Sequence, residues 1–196
     1  MASIAGGSSA LVLTQSKPLR LLTLLLFYFT QGFPIGLFYT AIPGWMGANG
    51  ASTAAIAGVI AASGLPWSLK LVNGFLIDRY TFLPMGRRRS WIIGAQSLIV
   101  LVLLVGAALA PAHDDLFMLS AIGFVANMAV TFQDVGIDSL AVDIMAEDER
   151  AKAAGIMFGA QILGTATSTF LGGMLLASFG ISACLAVLAL VPALVA

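Results

Sequence analysis

The chain has 196 residues, 60% of them hydrophobic and only 9% charged, and its nine basic and nine acidic side chains cancel to a formal net charge of zero. Soluble domains carry roughly 45–50% apolar and about 25% charged residues, so a water-soluble fold is excluded, and a zero balance gives no footprint for a nucleic-acid partner. The one cysteine, Cys184, lies in an apolar run; it excludes an intrachain disulfide and a cysteine-based metal site, its expected role is a small buried hydrophobe, and no cofactor is implied.

A helix rises about 1.5 Å per residue and a bilayer core is about 30 Å thick, so a span needs about 20 apolar residues. Residues 1–16 are expected to form a flexible cytoplasmic tail, and residues 17–196 a six-helix transmembrane bundle. Lys17 and Arg20 precede an uncharged run from Leu21 to Gly50, too long for the apolar region of a cleaved signal. It predicts a retained span within Leu21 to Met46, with Gly32, Pro34 and Gly36 in its body. Span 2 is expected over Thr53 to Ile77, with Gly64 and Pro66 as irregular points; span 3 runs from Ser90 to Ala110 and stops near Pro111. Span 4 starts near Leu116 and reaches the acidic cluster that ends at Asp143. After Lys152 no charge follows, and the turn-forming stretch ASFGIS, Ala177 to Ser182, divides spans 5 and 6. From Ile181 only 16 residues remain, about 24 Å of helix; the expectation is a bundle incomplete at its C-terminus.

Short cytoplasmic loops hold the Lys and Arg excess of membrane proteins. With six spans, all nine basic residues fall on one side: Lys17 and Arg20 before span 1; Lys70, Arg79, Arg87, Arg88 and Arg89 around the connection of spans 2 and 3; Arg150 and Lys152 between spans 4 and 5. The opposite side carries His113, Asp114 and Asp115, so the N-terminus is predicted to be cytoplasmic.

Gly74, Asp78, Arg79, Gly86, Arg87 and Arg88 follow the order G-x-x-x-D-R and then G-R-R. This resembles the loop between spans 2 and 3 of major facilitator transporters, although the stretch YTFLP lengthens the gap before Gly86. The segments LPWSLKLVNGFLIDRYTFLPMGRRRSWI and QDVGIDSLAVDIMAEDERAKAAG are similar to those of AmpG-type muropeptide permeases and the related acetyl-coenzyme A transporters. The resemblance implies an all-α membrane protein whose six helices equal the N-terminal half of such a transporter, in the inner (cytoplasmic) membrane. It implies import of cell-wall sugar-peptide fragments, driven by protons, with a siderophore or a coenzyme A thioester as alternative cargo. It also implies a cytoplasmic gate in which Asp78 meets arginines, with Gly74, Arg79, Gly86, Arg87, Arg88 and Arg89 as its elements. The lipid bilayer, a small amphiphilic solute, protons, and a C-terminal half or a second half-transporter chain are the implied partners.

The residues carry their own reading. Lys70, Gly74 and Asp78 recur at four-residue steps and share one helix face; Gly74 would permit close helix approach. Lys70 lies in an otherwise uncharged segment, where an ionisable residue faces a cavity or a partner, or else snorkels to the surface on its long stem. Asp134 and Asp138 share a face of span 4, and Asp143 lies on another. Lys70 is expected to pair with Asp134 or Asp138 and to exchange that partner for substrate or proton; the other reading puts Asp134 at the membrane boundary. Gln31, Gln133 and Gln161 are candidates for the solute pathway, with interhelical hydrogen bonding as the alternative. Arg150 is a candidate to join the gate with Asp143, within the turn AEDERAK. Gly32 with Gly36, and Gly155 with Gly159, are small-residue pairs suited to helix packing. Tyr28, Tyr39 and Trp45 are read as packing or interface positions.

Other classes fare less well. The sequence has no G-x-S-x-G nucleophile elbow and no H-E-x-x-H zinc motif, so the chain is not expected to be an enzyme. A non-transporting membrane scaffold is the alternative from another class, and solute uptake by vesicles separates it from a transporter.

Overall fold

The computed structural model describes residues 13, 15–80 and 87–195, with the side chain of residue 87 excepted. No strand occurs among them. The elements are α1 (Lys17–Gly36), a π-helical turn (Leu37–Ala41), α2 (Ile42–Ala48), α3 (Thr53–Ser68), α4 (Lys70–Arg79), α5 (Arg87–Leu109), α6 (Leu116–Ile144), a 3-10 turn (Glu147–Glu149) and α7 (Arg150–Val195). Among the described residues, four stretches are long and apolar enough to cross a membrane: Lys17–Ala48, Arg88–Leu109, Leu116–Ile144 and Glu147–Val195; α3 and α4, taken as one bent span, make a fifth. The expected tail, residues 1–16, lies largely outside the described residues, as does Gly86.

Helix ends follow local chemistry. Ser16, Ser52 and Asp115 each accept a hydrogen bond from the backbone N–H three residues on, capping α1, α3 and α6. Ala110 takes a left-handed φ of 46° and ends α5 just before Pro111, a position from which proline excludes further helix. In span 2 the break falls at Leu69, where α3 and α4 meet at 42°. Pro66 lacks the N–H that would bond the carbonyl of Ala62, and Ser68 turns its hydroxyl onto the Leu65 carbonyl at 2.7 Å. The irregularity expected at Pro66 thus appears three residues downstream.

The turn expected between spans 5 and 6 is present at Gly180, whose φ of 79° and ψ of −178° interrupt α7 in a region open essentially to glycine alone. The chain folds back there: the Cys184 thiol reaches the Gly172 carbonyl at 3.6 Å, and Ser182 donates to Ala107 of α5 at 2.7 Å. Cys184 is fully buried, as expected. The returning arm, residues 181–195, is shorter than the roughly 20 residues of a full span.

The closest helix contact joins α1 to α7. A methyl group on Gly32, Gly36 or Gly164 would overlap the facing backbone, so glycine is required for this approach. Ser168 donates to the Phe33 carbonyl at 2.7 Å across the same seam. Gly32 and Gly36 therefore pack as expected, against the α7 backbone at Gln161–Thr165, while Gly164 of α7 packs on the Phe29 backbone of α1. Gly155 and Gly159 meet nothing within 4 Å of an added methyl, because they lie on the exposed side of α7. Phe33, Phe38, Ile42, Met46, Ile99, Leu103 and Leu185 fill the main core, and Leu24, Tyr28, Ile92, Ile137 and Met157 form a second cluster toward the basic end of the bundle.

Gly164→Ala is expected to cost about 1–3 kcal/mol through overpacking, whereas Gly155→Ala stays within about 0.5 kcal/mol. Reversible unfolding of the full chain in mixed detergent micelles measures both; equal effects would contradict the seam.

Candidate functional site

The break at Leu69 places Lys70 as the first residue of α4, beside α6. Its ammonium pairs with Asp134 and lies 3.7 Å from Asp138. From α1, the Tyr28 hydroxyl donates to Asp134 at 3.3 Å and also contacts Asp138. Three helices thus meet at one polar cluster, and Lys70 pairs with both aspartates where the spacing left a choice of one. The Lys70 ammonium also stands 6.0 Å from the centre of the Trp67 ring.

Hydrogen bonds outside the charges brace the same contact. Asn73 of α4 donates to Thr131 of α6 at 2.7 Å, and the Trp67 indole donates to Asn127 at 3.4 Å. The cluster therefore sits between fixed helices. Asp134 is enclosed by protein, with its side chain 5% exposed, whereas the Asp138 side chain is 47% exposed; placement of Asp134 merely at a solvated boundary does not describe it. Burying a charge is costly unless it is paired and hydrogen-bonded, and Lys70 and Tyr28 supply that pairing.

A second set of charges gathers at the basic end. Lys17 and Arg20 hold Glu149 at 2.6 and 3.0 Å, tying the start of α1 to the turn before α7. In that turn the hydrogen bonds from Lys17 and Arg20 keep the Glu149 carboxyl below its usual range. Arg88 pairs with Asp143 and donates to the Ser139 carbonyl, joining α5 to α6. Arg150 bonds the Val142 carbonyl at 3.2 Å, while Asp143 meets Arg88. Asp78 and Arg79 are exposed at the end of α4, and Arg89 is exposed on α5. Gly74 has room: an added methyl would lie 3.8 Å from Val135, an ordinary contact, so close approach is not what this glycine provides. Gly86 and the side chain of Arg87 lie outside the described residues.

The glutamines form two interhelical pairs. Gln161 donates to Gln31 at 2.7 Å, and Gln133 donates to Gln96, whose own amide bonds the Pro192 carbonyl at 2.8 Å. Gln31 and Gln133 are fully buried: the close α1–α7 approach brings Gln31 and Gln161 together, and Gln133 meets Gln96 between α6 and α5. Sequence reasoning missed Tyr28 as a polar partner and missed Gln96, Asn73 and Glu149. A tyrosine in an apolar span needs a partner for its hydroxyl; that was the available signal.

Several long apolar helices around a paired polar cluster define a multi-pass membrane protein. Residues 20–182 match the sequence profile of the family described as acetyl-coenzyme A transporter 1, and the chain belongs to that family. It is 28% identical over 133 residues to the anhydromuropeptide permease of Escherichia coli strain K12, covering 68% of this chain and 27% of that protein. It is 30% identical over 153 residues to the AmpG 4 protein of Rickettsia felis, covering 74% of this chain and 36% of that protein. The matched stretches thus span about a third or less of these relatives. No solved structure matches the chain. The family is described as a transporter and the Escherichia coli relative as a permease.

Lys70→Met strands the enclosed Asp134 and is expected to cost about 1–3 kcal/mol, the penalty of an unsatisfied buried acceptor. Adding Asp134→Asn should restore much of it. Thermal unfolding of the two variants in detergent checks this; an additive second loss would deny the pairing.

Proposed function

We propose that the chain forms the N-terminal six-span half of a major facilitator transporter that imports cell-wall-derived muropeptides with protons across the cytoplasmic membrane. The observation that carries this reading is the cluster of Lys70, Asp134, Asp138 and Tyr28, which joins α1, α4 and α6. A packed scaffold has no use for such a group, since ionisable residues inside a membrane are expensive and mark pathways. Transporter sites lie near the midplane at the interface of repeated halves, and the matched share of the relatives leaves room for a second half. The permease name of the Escherichia coli relative supplies the cargo class.

In this reading the fold-back at Gly180 begins the sixth span, and the basic ends face the cytoplasm by the positive-inside rule. Asp78, Arg79, Arg88, Arg89 and Asp143, with Gly74, Gly86, Arg87 and Arg150 nearby in sequence or space, build the cytoplasmic gate. Charge-assisted pairs such as Arg88 with Asp143 can be broken and remade as the halves rock. Lys70 exchanges its contact with Asp138 for substrate during the cycle.

Lys70→Ala should lower uptake of labelled anhydromuropeptide by cells at least about tenfold at equal expression, a barrier change of about 1.4 kcal/mol. Full uptake would remove Lys70 from the exchange. Competition by a siderophore or a coenzyme A thioester, without muropeptide uptake, would redirect the cargo. Arg89→Cys should react with an impermeant maleimide in inverted vesicles and resist it in intact cells; the reverse pattern would overturn the orientation.

A further inference from the structure

The cluster contains two carboxylates and one ammonium, and the Tyr28 hydroxyl has a single proton to donate. The two aspartates are not equivalent. Asp134 has its side chain 5% exposed and takes the close contact of Lys70, whereas Asp138 stands 3.7 Å from that ammonium with its side chain 47% exposed. With Lys70 committed to Asp134, the second carboxylate leaves one negative charge that no side chain of the cluster cancels.

Asp138 also faces a different space. A groove of about 360 Å³ between α6 and α7 is lined by Asp138 together with Ala141, Met145, Ala153, Met157 and Arg150. Of the lining residues, Asp138 and Met157 are the farthest along the chain from the turn at Glu147–Glu149. Arg150, next to that turn, is exposed and bonded to the Val142 carbonyl. The groups that face Asp138 are Tyr28 from α1, Lys70 from α4 and Asp134 from α6, with Arg150 of α7 farther along the groove. Arg88 of α5 is held by Asp143 and the Ser139 carbonyl.

We infer that Asp138 carries the exchangeable proton, reached along the α6–α7 groove, while Asp134 remains the fixed counter-ion of Lys70 and the Tyr28 hydroxyl positions the Asp138 carboxylate. Protonation forms one O–H bond on Asp138 and brings the net charge of the four groups from minus one to zero. Tyr28 keeps its own proton throughout. Deprotonation releases the proton into the groove and restores the negative charge. This inference rests on the coupling role proposed above for the cluster and assigns its atoms.

Infrared titration of the full chain in lipid tests it without any cargo. The difference spectrum of wild type minus Asp138→Asn should contain a carboxylic acid C=O band that grows reversibly as pH falls. The band should persist in Asp134→Asn, move in frequency in Asp138→Glu, which keeps an acid there, and move in Tyr28→Phe, which removes the hydroxyl partner. A titration spectrum unchanged in Asp138→Asn, or a band that only Asp134→Asn abolishes, overturns the assignment. A midpoint displaced by sodium would overturn it in favour of an alkali cation. In vesicles, Asp138→Asn should lose the accumulation of labelled anhydromuropeptide that a pH gradient drives in the wild type. Accumulation that persists in this variant would contradict the inference, whereas a wild type that moves no muropeptide would sink the proposed function and leave the titration standing.

Discussion

An ammonium inside an apolar bundle has to be met by anions, and the arrangement around Lys70 follows from that constraint. Each unmatched charge among closely packed helices carries a desolvation penalty of several kcal/mol, so the elements holding Lys70, Asp134 and Tyr28 are placed by their need for one another. The brace of Asn73 on Thr131 fixes α4 against α6 beside the charges, and Trp67 on Asn127 holds α3 against the same helix. The α1–α7 seam then sets how near Tyr28 can come, because Gly32, Gly36 and Gly164 let two backbones touch.

Much of the bundle was legible because membrane spans are written in long-range composition. Uncharged runs, Pro111 and the Gly180 turn marked where helices begin and stop, and the four-residue spacings put Lys70 in reach of Asp134 and Asp138. The break in span 2 was readable only to within a turn: proline removes a hydrogen bond at one position, but the strain is released where Ser68 and Leu69 yield most easily. The fold-back after Ala177 was legible as a turn at Gly180; the arm beyond it, residues 181–195, is too short for its length to mark a span.

The polar partners were harder to read. Spacing reports which residues share a face of one helix but says nothing about rotation against a neighbour, so Tyr28 looked like a packing or interface aromatic and the glutamines could be read either as cavity residues or as interhelical hydrogen-bonders. Their partners lie 106 to 130 positions away in the chain for Tyr28 with Asp134 and for Gln31 with Gln161. The same applies to the small-residue pairs: Gly155 and Gly159 carry the same pattern as Gly32 and Gly36, and only the docking of α1 distinguishes them.

The π-helical turn at Leu37–Ala41 changes how the first span must be mapped. There the N–H of Ile42 reaches back five residues to the Leu37 carbonyl, which admits one more residue than an α-turn holds. A residue added to a helix of about 3.6 per turn rotates everything beyond it by about 100°. Positions before and after this point, such as Tyr28 and Trp45, therefore obey two different wheels, and a mutational scan of the span read with a single angular period would assign Ile42–Ala48 to the wrong face.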